Sequence, residues 1–379
     1  MEPLYQGALD VFLVGVRADF NSVEDQATKS ITSLEQNGLL STATVTDGIF
    51  TQVSNMETQG NITVWRHTGT TGVSTTGNRK AGAIYPTASF LRLWETVVID
   101  PDDQDANQIV VPEERLNAES AEYKAALDRA QKLNIDLRRK NIGDPFDVFN
   151  QAFIAPIYYA NTKFTAKGNN GLDGNNTALS EALITYQHKI ALGNATLATS
   201  TTAFGGCGNA VSSSGLYAAL SPTSYYAALE LATTFVSDIG KPMPMFGGNK
   251  TLVVVNANGL VQTAKQLNES EWAIGTSNNE VNVLKSESSR IISSPYLTNS
   301  INYSTANTQN KKWFLIDAAF TDPKVGTGLV RVCFVPTGSN VFRSPEMNAL
   351  VYQAKQSFSY SWVDWRNVIG SLGDNSAIA

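Results

Sequence analysis

Residues 113–140, EERLNAESAEYKAALDRAQKLNIDLRRK, constrain the fold more than any other part of the chain. Tyr123, Ala126, Leu127, Ala130, Leu133 and Leu137 recur at three- and four-residue spacing, which puts them on one face of an α-helix. Asp128–Lys132 and Asp136–Lys140 stand four apart with the acid first, the favourable order for ion pairs along a helix. Arg138, Arg139 and Lys140 suit the negative end of the helix dipole, and Gly143 and Pro145 end the element. At 1.5 Å per residue such a helix runs about 30–40 Å. It is a spine to which other elements attach, not a cap over one of them.

The remaining signals alternate between strands and helices. Residues 1–55 read as an extended arm with one short helix. ITVWR (62–66) and WETVVI (94–99) are strand-like and frame a long hairpin over 56–99. Its tip, HTGTTGVSTTGNRKAG, is too long for a tight turn, and loops of that length are usually functional. DPDDQDANQ (100–108) reads as an acidic loop. SPTSYYAALELATTFVSDIGKP (221–242) predicts a second helix, with Ser221 as cap, Pro222 in the first turn and Gly240 and Pro242 at the end. Its apolar face is Tyr225, Leu229, Ala232, Val236 and Ile239. ALSEALITYQHKIAL (178–192) is a further possible helix inside a Gly/Asn-rich region. TLVVVN (251–256), RIISSPYL (290–297), KWFLID (312–317), LVRVCFV (329–335) and ALVYQAKQSFSYSW (349–362) read as strands, with a helix at 259–270. The class is α+β.

Composition bears on what such a chain contacts. Hydrophobic residues make up 42% and charged residues only 16%, with polar uncharged residues filling the gap. Charge is depleted at the cores of protein interfaces, so this surface suits contact with other chains. The net charge of −6 removes the basic stripe on which nucleic-acid affinity depends. No apolar run reaches the length of a membrane span, and the first residues lack the basic region of a signal peptide. Cys207 and Cys333 cannot make a disulfide framework and fit a reducing compartment of synthesis.

Catalytic chemistry has little to stand on. His67 and His188 lack acidic or thiol neighbours at ligand spacing, so no metal centre is expected. GGNKT (247–251) fails the spacing of a phosphate loop and precedes a strand where such a loop would follow one. No G-x-S-x-G, H-E-x-x-H or C-x-x-C occurs, and neither an enzyme nor a cofactor is expected.

The order of elements resembles the tailed-bacteriophage major capsid proteins with the Hong Kong ninety-seven fold, and within them the Mu-like major head subunits. The residues that carry the resemblance are mostly C-terminal. KTLVVVNANGLVQTAKQLNES is similar to the strand–helix unit of the family's axial domain. RIISSPYLTN is similar to its strand ending in Pro295, Tyr296 and Leu297, and KKWFLID to the Trp-led strand that follows. FSYSWVDWRNVIGSLGD resembles the closing segment, with Asp364, Trp365, Arg366, Gly370 and Gly373 in place. NRKAGAIYP and LRLWETVVIDPDD resemble the returning half of the extended loop. LDGNN…LSEALITYQHK is a stretched version of a segment that is compact in many relatives.

The resemblance implies an N-terminal arm (1–55), an extended β-hairpin loop (56–110) and a peripheral domain with a spine helix (111–220). An axial domain (221–345) and a closing strand of the peripheral domain (346–379) complete it. It further implies self-assembly as pentamers and hexamers into an icosahedral shell around double-stranded DNA. Portal, scaffold and decoration proteins would be partners, contact with DNA would be weak, and the virion would be made in a bacterial cytoplasm. An encapsulin-like compartment is the alternative on the same fold. Arg79, Lys80, Trp65, Arg138, Arg139, Trp365 and Arg366 are the expected assembly residues. Arg366 would form an inter-subunit or core-to-loop ion pair, and plain core packing is the alternative for Trp362 and Trp365. The closing aromatic segment is expected to be the last strand of the peripheral sheet.

Overall fold

The amphipathic stretch folds as helix α1, Ala121–Gly143. The computed structural model describes residues 49–54, 61–66, 70–71, 89–90, 93–99, 105–112, 121–153, 164–169, 183–185, 208–213, 215–235, 245–256, 259–272, 281–294, 296–297, 311–318, 328–362 and 365–376. The start of the expected helix, 113–120, lies outside them. Tyr123, Ala126, Ala130 and Leu137 are buried and Leu127 and Leu133 partly so, as the spacing predicts. They meet Val341, Leu350, Tyr352 and Ala354. The last three alternate along one strand, so they share one face of a sheet.

That strand is β14, Ala349–Trp362, which runs antiparallel to β13, Leu329–Ser344. The register of the pair shifts between Cys333 and Gly338, where Pro336 cannot donate to the ladder. β6, Asp105–Pro112, pairs antiparallel with β14, and β1, Thr51–Ser54, pairs parallel with β13. The sheet order is β1-β13-β14-β6. The supposed acidic loop is therefore a strand from Asp105 onward. Within the expected N-terminal arm, Thr51–Ser54 is a sheet strand; residues 1–48 lie outside the described residues.

Polar bonds fix the position of α1 on this sheet. Asn134 Nδ2 donates to the Tyr352 hydroxyl, Gln356 Nε2 donates to the Leu137 carbonyl at 2.9 Å, and the Tyr360 hydroxyl donates to Asn141 Oδ1 at 2.7 Å. Lys132 pairs with Asp128 at 2.8 Å, as expected. Lys140 does not pair with Asp136; it reaches Asp105 at the start of β6. Asp105 has 17% of its side chain exposed and Asp136 72%, so water screens the first attraction less. Asp136 instead lies 3.7 Å from Arg139.

A second sheet holds β10, Lys250–Val255; β11, Ser288–Ser294; β12, Trp313–Asp317; and β15, Val368–Ser371, in the order β11-β10-β12-β15. Every residue of β10 and β12 is buried, which explains why these strands read as unbroken apolar runs. α2, Pro145–Asn150, follows α1 directly. α3, Pro222–Thr233, carries the expected Ser221 cap, reciprocated by Ser224, and buries Tyr225, Ala228 and Ala232. It ends at a Thr234 cap, short of the predicted 242, with 236–244 outside the described residues. α4, Leu260–Glu269, follows β10.

The hairpin strands are β2, Asn61–Arg66, and β5, Leu93–Ile99, with Trp65 opposite Trp94. They do not stand alone. β7, Phe164–Asn169, from the region read as Gly/Asn-rich loop, pairs with β5 and lies against β14. β3, Thr70–Thr71, and β4, Ser89–Phe90, extend the pairing towards the tip. The possible helix at 178–192 is contradicted where it is described. Leu183–Thr185 form a bend whose Ile184 N–H donates to the Ala152 carbonyl at 2.7 Å.

The closing segment also departs from expectation. Phe358, Tyr360 and Trp362 lie on β14 in the first sheet, but a 3-10 turn, Trp365–Asn367, then carries the chain into β15 of the second. The segment joins two sheets where it was expected to finish one. Gly370 of β15 is tightly enclosed: a Cβ there would lie 2.7 Å from Phe314 Cδ1 and 3.2 Å from Ile184 Cδ1. Gly370→Ala is expected to destabilise the subunit by about 1–3 kcal/mol through overpacking. Gly247→Ala, with open space around it, should be nearly neutral. Denaturant midpoints measure both, and equal effects would contradict the packing described here.

Candidate functional site

One amide organises the junction of the two sheets. Asn209 is fully buried, and its Nδ2 donates to the carbonyls of Leu183 and Val368, each at 2.8 Å. Its Oδ1 accepts from the Thr185 N–H at 3.0 Å. Its own backbone N–H donates to the Thr185 carbonyl, and its carbonyl accepts from the Gly370 N–H, both at 3.0 Å. Three chain segments that are distant in sequence are thereby held together, with both donors of the amide and its oxygen engaged.

Trp365 and Arg366 sit beside this knot. Trp365 packs edge-on against Phe235, with centroids 5.1 Å apart, and the Arg366 guanidinium lies 4.8 Å from the Trp365 ring centroid. Trp365 is 1% exposed and Arg366 0%, which places both inside the subunit. Trp362 is buried likewise. The tail beyond is held as well: the Tyr217 N–H donates to the Ser376 carbonyl at 2.9 Å, and the Ser371 hydroxyl donates to the Ala218 carbonyl at 2.7 Å.

The other expected assembly residues are dispersed. Trp65 is on β2, and Arg138 and Arg139 are in the last turns of α1, where Arg139 is exposed. Arg79, Lys80, His67 and His188 lie outside the described residues. Among the described residues, no three His, Cys, Asp or Glu side chains gather closely enough to hold a metal ion. Burial pushes the Cys333 thiol above its usual value, away from reactivity. No described helix is long and apolar enough to cross a membrane.

Sequence reasoning missed a second buried polar contact. Lys312, at the start of the KWFLID strand, is 3% exposed, and its Nζ donates to the Asn150 carbonyl at 3.1 Å, at the C-terminal end of α2. Burial pulls its pKa from 10.5 down to about 8, a shift that the Asp374 carboxylate partly offsets. The run of apolar residues that follows Lys312 conceals this in the sequence.

No protein-family model and no curated protein matches the chain. Solved structures to which it is similar include phage capsids and a virus-like particle. One is a capsid structure of the cyanophage P-SCSP1u, at 12% identity over 85% of each chain and a TM-score of 0.41. A second is the mature capsid of bacteriophage PhiM1, at 12% identity over 86% of this chain and 85% of that one, with a TM-score of 0.43. A third is a virus-like particle from Pyrococcus furiosus, at 11% identity over 93% and 98%, with a TM-score of 0.38.

Two outcomes check the buried contacts. Asn209→Ala leaves two carbonyls and one N–H without this partner in a dry setting, and should cost roughly 3 kcal/mol of stability. A loss below that of a typical surface substitution would deny the knot its role. Lys312 binds its proton less tightly in the folded chain than in the unfolded one. Its burial cost is therefore fully present below about pH 8 and is relieved as pH rises towards 10.5. Above pH 10 the buried Tyr225 hydroxyl, pushed up to about 12 by burial, acts in the opposite sense, because unfolded tyrosine ionises first. Lys312→Met should thus raise the thermal midpoint more at pH 7 than at pH 9.5. The same increment at both would show that the lysine is not held in the buried state described.

Proposed function

We propose that this chain is a major capsid protein of the tailed-phage type. It self-assembles as pentamers and hexamers into an icosahedral shell that encloses double-stranded DNA. The observation that carries the reading is where the hairpin is inserted. After β1 the chain leaves the spine sheet, makes β2 and β5, and returns to the opposite edge of the same sheet as β6, directly ahead of α1. β7, which follows α2, joins β5, so the hairpin becomes part of a three-stranded sheet with β2 and β7 at its edges. Edge strands of that kind invite pairing with another chain unless they are covered. This is the plan that the motif resemblance implies, from NRKAGAIYP through FSYSWVDWRNVIGSLGD.

A shell subunit touches several neighbours and performs no reaction, which fits the lightly charged exterior. A net charge of −6 keeps contact with the genome weak, so the DNA can leave. The first sheet with α1 is read as the peripheral domain, to which β13 then belongs although it falls within the 221–345 expected to be axial, and the second sheet as the axial one, with the closing segment tying them. Arg79 and Lys80 in the hairpin tip, with Trp65, Arg138 and Arg139, are the proposed contact residues. Portal, scaffold and decoration proteins are the further partners, the subunit is made in the bacterial host's cytoplasm, and the assembled protein resides in the virion.

Expression with and without a scaffold, followed by sedimentation, tests the reading. Fast-sedimenting particles are expected, and those from infected cells should carry nuclease-protected DNA. Particles that hold a protein cargo and no DNA would favour the encapsulin-like alternative, and a chain that stays monomeric throughout would contradict both. Reversing charge at Arg79→Glu and Lys80→Glu should lower particle yield while the far-ultraviolet circular dichroism of the subunit is unchanged. An unchanged yield would remove these residues from the interface.

A further inference from the structure

We infer that Trp272, Val281 and Val283 form a contact surface for a second copy of this chain; the inference rests on the shell reading above. Trp272 is 55% exposed, Val281 72% and Val283 71%. Trp272 and Val281 are neighbours because they face each other in an isolated antiparallel bridge, and Val283 follows two residues on, where the chain enters a turn.

The strip is held out by design of its neighbours. Asn282, between the two valines, is 7% exposed, and its Nδ2 donates to the carbonyls of Leu267 at 2.8 Å and Ser270 at 2.9 Å. Its Oδ1 accepts from the Leu284 N–H at 3.0 Å, and its backbone N–H donates to the Glu271 carbonyl at 3.0 Å. The amide so caps the C-terminal end of α4, and with Asn282 and Leu284 fixed inward, the valines on either side of Asn282 point outward. At 281–283 the usual pattern of apolar in, polar out is inverted, and the hydrogen bonds of Asn282 hold it so. A pre-set apolar surface loses little side-chain freedom when it is covered.

Charge and area select the occupant. Among the described residues, the chain flanking the strip carries Glu269 and the exposed Glu271–Lys285 pair at 3.2 Å, not the basic excess that nucleic acid or an anionic lipid surface requires. The three side chains together expose on the order of 300 Å², well short of the roughly 800 Å² that each partner buries in a stable pairwise complex. Alone, such a strip holds nothing. It contributes where the same two molecules also touch elsewhere, as copies of one chain do in a closed ring, each offering the strip to a different surface of the next.

The double variant Trp272→Ser, Val283→Ser tests this in the full chain. Particle yield should fall about tenfold, as expected when an aromatic anchor is lost, with the subunit's thermal unfolding unchanged. Acrylamide quenching supplies an independent reading without a disruptive variant. The fluorescence that distinguishes wild type from Trp272→Phe should be quenched in free subunits and protected in particles. Wild-type yield of the double variant, or a Trp272 still open to acrylamide in particles, would overturn the inference and leave the shell reading intact. A wild-type chain that forms no particles at all would overturn both.

Discussion

The Asn209 amide is the contact on which the arrangement of the two sheets depends. A fully buried side-chain amide is costly unless its donors and its acceptor are all answered. Here Leu183, Val368 and Thr185 answer them, so the bend at 183–185, the segment at 208–211 and the last strand can only pack in one mutual position. Trp365 and Gly370 fit that position closely: the first fills the space beside Phe235, and the second lets Phe314 and Ile184 approach. Polar contacts set the geometry and apolar burial supplies the stability.

The same division of labour recurs along the spine. The apolar stripe of α1 gives its burial, but a stripe alone permits sliding. Asn134, Gln356, Tyr360 and the Lys140–Asp105 pair each choose one position of the helix on the sheet. β6 is thereby fixed at both faces of its chemistry: its backbone is paired with β14, and its first side chain with the helix. Because the hairpin enters and leaves through the two edges of this sheet, a rigid spine sheet gives the hairpin a rigid root.

What could be read from the sequence follows from how local each signal is. α1 was legible because its stripe repeats over several turns, and β10 and β12 because strands buried on both faces are continuous apolar runs. The capping pair of Ser221 and Pro222 located the start of α3 to the residue. β7 was not legible, since the alternation of FTAKGN lasts only four residues inside a Gly/Asn-rich region, and its place is set by pairing with β5. Lys140 was assigned the nearest acid in sequence, whereas the structure gives it a less exposed one, 35 residues away. Asn209, inside the Gly/Asn-rich region, and Asn282 gave no signal, because a polar side chain that organises a core announces nothing in its flanking sequence. Trp365 was recognised as distinctive, but whether it faced a neighbour or the core depended on the path from β14 to β15, which spans two sheets.

Electron cryomicroscopy of particles assembled from the pure chain is the most direct measurement of the central claim. The account predicts a closed icosahedral shell of pentamers and hexamers, with the β2–β5 hairpin of each subunit resting on an adjacent copy. Particles without such symmetry, or a shell in which each hairpin folds back onto its own subunit, would contradict it.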